Sequence, residues 1–123
     1  MDINEIPLVD FLKATGWFVS LHKLYYLSPN DANQVEGIQT DVTVWDIIFV
    51  QDLFEAVNDD KLLLLDVGWY PDGDVNGQFR LELVSKSNLD EDYDWMNPVM
   101  KLETRSIDLL VSTIRKQMGN ASL

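Results

Sequence analysis

The sequence contains no cysteine and one histidine among 123 residues. The absence of cysteine excludes disulfide bonds, thiol catalysis, and zinc or iron–sulfur sites with cysteine ligands. It fits a reducing cytoplasm, where disulfides are rare. The lone histidine, His22, has no second histidine with which to share a metal ion and lies in no catalytic motif. We therefore interpret it as an ordinary surface or partly buried side chain and expect no metal centre.

Basic residues are also few: 9 lysines and arginines stand against 21 acidic residues, for a formal net charge of −12. Such a surface repels phosphate backbones, which argues against a direct role with nucleic acid. It attracts basic proteins and speeds the encounter with them. The simpler alternative is that the acidity only keeps the protein in solution.

The sequence also lacks long hydrophobic runs and the common catalytic motifs. No segment approaches the ~18 apolar residues of a membrane span, and the start, "MDINEIPLVDF", is acidic where a signal peptide would be basic. There is no P-loop, no G-x-G-x-x-G and no nucleophile elbow. We expect a cytoplasmic protein without membrane contact, cofactor or enzymatic activity.

The apolar content, 46%, is that of a globular chain, and the length indicates a single domain over residues 1–123, with 119–123 frayed. Residues 28–41 are polar and predict a loop, with room for a short strand around Ile38. The remaining pattern predicts an α+β fold, a mostly antiparallel sheet of about four to five strands packed with about three helices. Helices are predicted over residues 4–15, 46–58 and 104–119, and strands over 17–27, 61–70, 78–85 and 97–105.

The stretch "YPDGDVNGQFRLEL" contains the opening of a calcium-binding loop at Asp72, Asp74, Asn76 and Gly77. A complete EF-hand loop needs a glutamate at position 12, where this chain has leucine, and a helix before the loop, where this chain predicts a strand. The EF-hand interpretation therefore fails, although a weak cation site at the two aspartates stays open. The stretch is better interpreted as a hairpin turn, with Gly73 and Gly77 supplying positive φ angles.

Aromatic residues fall into two groups. Trp17, Tyr25 and Trp45 lie in apolar runs and are expected in the core, whereas others lie beside acidic loops. Tyr70 precedes the hairpin tip, and the run "LDEDYDW" places two aromatic rings among four acidic residues. Exposed rings mixed with carboxylates are typical of a surface that binds a basic protein. The rings contribute binding energy when the partner buries them, and the charges accelerate its approach. The alternative is that the rings pack under their own loop.

The segment "LLLLDVGWYPDGDVNGQFRLELV", followed by "WMNPV" and the helix "TRSIDLLVSTIRKQM", resembles small immunity proteins of bacterial contact-dependent growth inhibition and related polymorphic toxin systems. The resemblance is one of layout over roughly residues 60–118. It implies a cytoplasmic, non-enzymatic inhibitor that binds a cognate toxin domain. Many such toxins are nucleases with basic clefts, which an acidic partner would complement.

We therefore predict that the chain binds a basic toxin domain, with an acidic adaptor unrelated to toxins or a small-molecule-binding domain as alternatives. The oligomeric state stays open. The expected contact residues lie on the two acidic loops: Tyr70, Asp72, Asp74, Asp90, Glu91, Asp92, Tyr93, Asp94 and Trp95.

Overall fold

The computed structural model describes residues 1–11 and 14–119. Over these residues the chain forms a five-stranded antiparallel sheet in the order β1-β2-β3-β4-β5, together with two α-helices and two short 3₁₀ helices. The predicted α+β fold is confirmed. The strands are β1 (Phe18–His22), β2 (Phe54–Asn58), β3 (Leu63–Tyr70), β4 (Gln78–Ser85) and β5 (Met100–Thr104); the α-helices are α1 (Val44–Ile47) and α2 (Ile107–Gln117); the 3₁₀ helices are Ile3–Glu5 and Pro29–Gln34.

The two faces of the sheet differ because side chains alternate along each strand. One face, which we call the helix face, packs into the hydrophobic core with both α-helices. It is formed by Phe54, Ala56, Leu65, Val67, Trp69, Phe79, Leu81 and Leu83. The opposite side, which we call the outer face, carries the intervening residues. These include Glu55, Leu64, Asp66, Gly68, Tyr70, Gln78, Arg80, Glu82, Val84, Lys101 and Glu103.

An aromatic cluster fills the helix face at the end of β3. The Trp69 ring, fully buried, lies 4.7 Å from the Phe49 ring and 5.0 Å from the Phe79 ring, both nearly edge-on. Trp45 of α1 adds a fourth ring at 4.6 Å from Phe49. Such tilted aromatic pairs stabilise a core beyond the area that they bury. The prediction that Trp45 is a core residue is confirmed, and Trp17 and Tyr25 pack at the margin of the same core.

The C-terminal helix forms where local signals place it. The Ser106 hydroxyl accepts a hydrogen bond from Leu109 N–H at 3.1 Å, which caps the first turn. Asp108 lies in the first turn, and Arg115 and Lys116 lie in the last, as the helix dipole favours. The apolar spacing of this helix predicts one core-facing side, and its four residues are all buried: Ile107, Leu110, Val111 and Ile114. Gly119 follows the helix with φ +84°; residues 120–123, for which fraying was predicted, lie outside the described residues.

The predicted helix over residues 4–15 is wrong in its described part. After the 3₁₀ turn Ile3–Glu5 the chain is extended and lies beside residues 24–26. Val9 N–H donates to Leu24 O at 2.8 Å, and Tyr26 N–H donates to Pro7 O at 2.9 Å. Ile6 and Val9 are buried, but an extended backbone and not one face of a helix places them in the core. Residues 12 and 13 lie outside the described residues.

The predicted helix over residues 46–58 is also wrong for most of its length. The helix α1 ends after one turn at Ile47, and Phe54–Asn58 is strand β2, the sheet's second strand. A helix would have placed Leu53, Phe54 and Val57 on one apolar stripe. In the strand, Phe54 points to the helix face while Val57 points away. Pairing with both neighbouring strands outweighs the local helical spacing, because it satisfies backbone groups on each side. Residues 28–41 form a loop as predicted. The loop contains the 3₁₀ helix Pro29–Gln34, and Ile38 lies in no strand.

The connection between α1 and β2 passes directly over β3. Trp69 N–H donates to Val50 O at 2.9 Å, and a Cβ placed on Gly68 would lie 1.8 Å from Gln51 O. Only glycine permits this approach of two backbones. The crossing attaches the connection to the β3–β4 hairpin.

Candidate protein-binding surface

The first predicted acidic loop is the β3–β4 hairpin connection, and its two aspartates are tied to the backbone. Asp72 Oδ1 accepts a hydrogen bond from Gln51 N–H at 2.6 Å, which links the hairpin to the connection before β2. Asp74 Oδ1 accepts from Asn76 N–H at 2.8 Å, and its carbonyl accepts from Trp69 Nε1 at 2.8 Å. Asp72 is exposed and Asp74 is half-buried. The pattern that resembled a calcium loop therefore holds a turn together.

The turn uses its two glycines differently. Gly73 has φ +70°, as predicted. Gly77 does not have a positive φ, and this part of the prediction is wrong. A Cβ on Gly77 would lie 2.6 Å from Tyr70 O and 2.7 Å from Trp69 Nε1, so glycine is needed there for close packing. Among residues 1–11 and 14–119, no group of three or more histidine or acidic side chains is placed to hold a metal ion.

The second predicted acidic loop joins β4 to β5 over residues 86–99. Asp90, Glu91, Asp92, Asp94 and Trp95 are exposed, the last at 48%. Tyr93 is half-buried, with the Lys86 ammonium 4.6 Å from its ring centroid. This loop therefore offers acidic and apolar side chains together to solvent. Three further large apolar side chains of the loop are exposed: Leu89, Met96 and Val99.

The structure does not bring the two acidic loops together. They lie at opposite ends of β4, because one precedes Gln78 and the other follows Ser85. A strand of this length spans roughly 25 Å. The predicted contact residues therefore divide into two groups, and a single small contact cannot cover both.

Between the loops, three carboxylates face one another across the middle strands on the outer face. Glu55 of β2 lies directly opposite Asp66 of β3, and Asp66 lies directly opposite Glu82 of β4. We call Glu55, Asp66 and Glu82 the acidic row. Like charges in directly opposed positions destabilise a sheet. On its other side Glu82 lies opposite Lys101 of β5, so the repulsion falls mainly on Asp66, which has a carboxylate on each side and opposes the stability of the fold.

The middle member of the acidic row, Asp66, has a raised pKa. Burial first, and then the nearby carboxylates of Glu55, Asp52 and Glu82, together raise the pKa of Asp66 from 3.8 to about 6, against a smaller opposing effect of Arg80. Among the described residues, no hydrogen bond reaches the Asp66 carboxylate. Above pH 6 the outer face thus holds a partly buried negative charge without a direct partner.

Beside the acidic row lies Arg80, which forms no ion pair with any residue that the structure describes. The Arg80 guanidinium stacks 4.2 Å from the centroid of the Tyr70 ring, and its Nε is buried without a hydrogen-bond partner in the described structure. With Gln78 and Glu103 these two side chains line an open depression on the outer face. Tyr70, predicted as an anchor, is thus partly covered by Arg80. Its pKa is raised by burial and by the charge of Asp66.

His22 has a structural role, in agreement with the sequence interpretation. Its Nε2 lies 2.7 Å from Val9 O, and Leu24 N–H donates to its Nδ1 at 3.3 Å. The ring also packs edge-on against Phe54 at 5.3 Å. These contacts hold the N-terminal segment against β1.

The acidic row was missed in the sequence because its members are distant along the chain and need the register of three strands to meet. One signal was present: Asp66 interrupts the apolar run "KLLLLDVGW", where a charge is costly. The predicted helix over residues 46–58 includes Glu55, and the alternation of residues 78–85 places Glu82 on the polar side of a strand without indicating its neighbours.

Comparisons of this chain with protein-family models, with curated proteins and with solved structures give no match. No helix in the described part of the chain is both long enough and apolar enough to cross a membrane.

Proposed function

We propose that this protein is a non-enzymatic binding protein that captures a basic protein on its outer face, and that the partner is a cognate bacterial toxin domain that it neutralises. The observation that carries the proposal is the acidic row, in which three opposed carboxylates cost stability in the free protein. Lysine or arginine side chains of a partner would relieve that repulsion on binding.

The overall charge supports the same conclusion at longer range. A net charge of −12 accelerates the approach of a basic partner before contact. Fast association matters for an inhibitor of a toxin, because each free toxin molecule can act until it is captured. On contact, the carboxylates of the acidic row pair with basic side chains of the partner. Charge pairs that are buried away from water contribute most to slow dissociation.

The neighbouring β4–β5 loop supports the proposal with apolar side chains. Trp95 and Met96 are 48% and 89% exposed, and large exposed side chains of this kind are typical anchors of interfaces. The loop begins at the end of β4, the strand that carries Glu82 of the acidic row. We therefore assign the contact to the outer face together with this loop, and a structural role to the hairpin tip with Asp72 and Asp74.

The toxin assignment rests on the resemblance in layout to immunity proteins, and the acidic row gives it a physical mechanism. A nuclease domain holds its substrate in a basic cleft, and an acidic face can occupy such a cleft in place of the phosphate backbone. Inhibition then needs no chemistry from this chain, only steady coverage of the cleft. An acidic adaptor would use the same surface without the inhibition.

The test is co-expression of this chain with the product of the gene immediately upstream, followed by co-purification and a binding titration. We expect a complex, and protection of cells that express the toxin domain. The variant Glu55→Gln/Asp66→Asn/Glu82→Gln is expected to bind about tenfold more weakly or worse.

The matched control, Asp31→Asn/Glu36→Gln/Asp41→Asn, changes the net charge equally at three exposed positions between β1 and α1 and is expected to bind nearly as the parent does. Equal losses in the two variants would show that only net charge matters and would refute the outer-face assignment. Binding without protection would favour an adaptor.

A further inference from the structure

Strand β5 forms an open edge of the sheet. It pairs with β4 on one side and, among residues 1–11 and 14–119, with no strand on the other. Such an edge presents unpaired N–H and C=O groups that can bind a further strand. Met100 and Leu102 are only half-buried there. We propose that β5 pairs antiparallel with β5 of a second copy, which joins the two sheets in a weak, two-fold symmetric dimer.

The charge pattern of β5 is self-complementary. Lys101 and Glu103 both point to the outer face, lie on either side of Leu102 and form a 3.2 Å ion pair within one chain. A two-fold axis at Leu102 places Lys101 of each copy opposite Glu103 of the other. The Lys101–Glu103 contact therefore occurs twice, as an isologous interface requires. Opposite charges in directly opposed positions stabilise an antiparallel pair.

The same pattern selects one register. A two-fold axis at residue 101 would oppose two lysines, and an axis at residue 103 would oppose two glutamates. Like charges directly opposite destabilise both alternatives. Only the register centred on Leu102 opposes unlike charges and also places two leucines side by side at the axis. Lysine at an edge ordinarily discourages strand pairing, and here the glutamate two residues later removes that obstacle.

The dimer is expected to be weak. Pairing of two five-residue strands buries much less surface per copy than the ~800 Å² that each partner buries in a standard interface. The net charge of −12 on each copy also opposes association. At about 0.15 M salt, charges more than about 8 Å apart are largely screened, whereas the directly opposed pairs are screened less. The fraction of dimer should therefore rise with protein concentration, and it should be larger at about 0.15 M salt than at low salt, where the net charges repel more strongly.

The first test is sedimentation equilibrium of the purified chain over a wide concentration range. We expect a reversible monomer–dimer equilibrium. Lys101→Glu and Glu103→Lys should each raise the dimer dissociation constant about tenfold or more, because each places like charges opposite one another twice. The double variant Lys101→Glu/Glu103→Lys should restore dimerisation. Within one chain Lys101 lies opposite Glu82 and Glu103 lies opposite Arg80, so these variants also bring like charges together inside the sheet. Thermal unfolding checks that each variant is folded at the temperature of the measurement.

A wild-type chain that stays monomeric at every concentration would overturn the proposal. A double variant as weak as the single variants would also overturn it. The measurement uses this chain alone, so its outcome is independent of whether a toxin is bound.

A second test uses the absence of cysteine from the chain. With the axis at residue 102, the two side chains at this position face each other at a separation that a disulfide nearly matches. Leu102→Cys should therefore form a covalent dimer under mild oxidation. Ser112→Cys, on the exposed side of α2, serves as the control. Oxidation of Leu102→Cys that is no faster than that of the control would refute the pairing.

Discussion

Replacement of Asp66 by asparagine should stabilise the protein at neutral pH. Asparagine keeps the size of the side chain and removes the charge that Glu55 and Glu82 oppose. Burial and these neighbours raise the pKa of Asp66 from 3.8 to about 6, so the folded state disfavours the ionised carboxylate. Since the unfolded chain carries that charge freely, neutralising it favours the folded state.

The size of the effect follows from the pKa difference. A rise of about two pKa units corresponds to about 3 kcal/mol, at 1.36 kcal/mol per unit. Asp66 is only half-buried, and water screens its charge, so we expect about 1 kcal/mol from Asp66→Asn at pH 7. For a domain of this size, that raises the melting temperature by roughly 4 °C.

The pH dependence has a definite sign. Between pH 3.8 and about 6 the folded chain binds more protons at Asp66 than the unfolded chain does. Stability from this group is thus present below pH 3.8 and is lost as the pH rises to about 6 and beyond. Asparagine does not titrate, so Asp66→Asn should not lose this stability as the pH rises. The difference in unfolding free energy between variant and parent should therefore grow between pH 3.8 and about 6 and stay constant above that range.

The assay is urea unfolding followed by tryptophan fluorescence, at several pH values between 3.5 and 7.5, with Asp41→Asn as a control that loses one exposed charge. Equal or lower stability of Asp66→Asn relative to the parent at pH 7 would refute the reasoning. So would an advantage that does not change with pH, or one that the control shares.

Three further predictions concern the framework that holds this surface. Gly68→Ala should destabilise the protein by about 3 kcal/mol or more, because the new Cβ would lie 1.8 Å from Gln51 O. Urea unfolding measures this loss. A loss below ~1 kcal/mol would contradict the close approach of the two backbones. Ser106→Ala should cost about 1 kcal/mol through loss of the α2 cap, whereas Ser112→Ala, inside the helix, should cost little; equal costs would contradict the capping role. Arg105→Ala should cost about 1 kcal/mol of stability and speed amide exchange in the hairpin, because Arg105 donates to Val75 O at 3.1 Å and to Gly77 O. Unchanged exchange at residues 75–78 would contradict a stabilising role of these two hydrogen bonds.

The sequence by itself determined the elements whose signals are local. The alternation in "QFRLELVS" placed Phe79, Leu81 and Leu83 on one side of β4, and Ser106 with the apolar spacing after it defined α2. The turn residues of "YPDGDVNG" placed a hairpin between two strands. These features depend on neighbours within a few residues, which is why α+β with an antiparallel sheet could be predicted.

Only the tertiary structure decided the segments whose pattern suits two conformations. Ile6 and Val9 are buried by an extended chain, and Phe54–Asn58 is a strand, because pairing with distant residues satisfied backbone groups that a helix would have satisfied locally. The acidic row depends in the same way on register, since a shift of one residue in any strand would turn its carboxylate to the core. The net charge was readable in the sequence, whereas its concentration at Glu55, Asp66 and Glu82 arises only when three strands align.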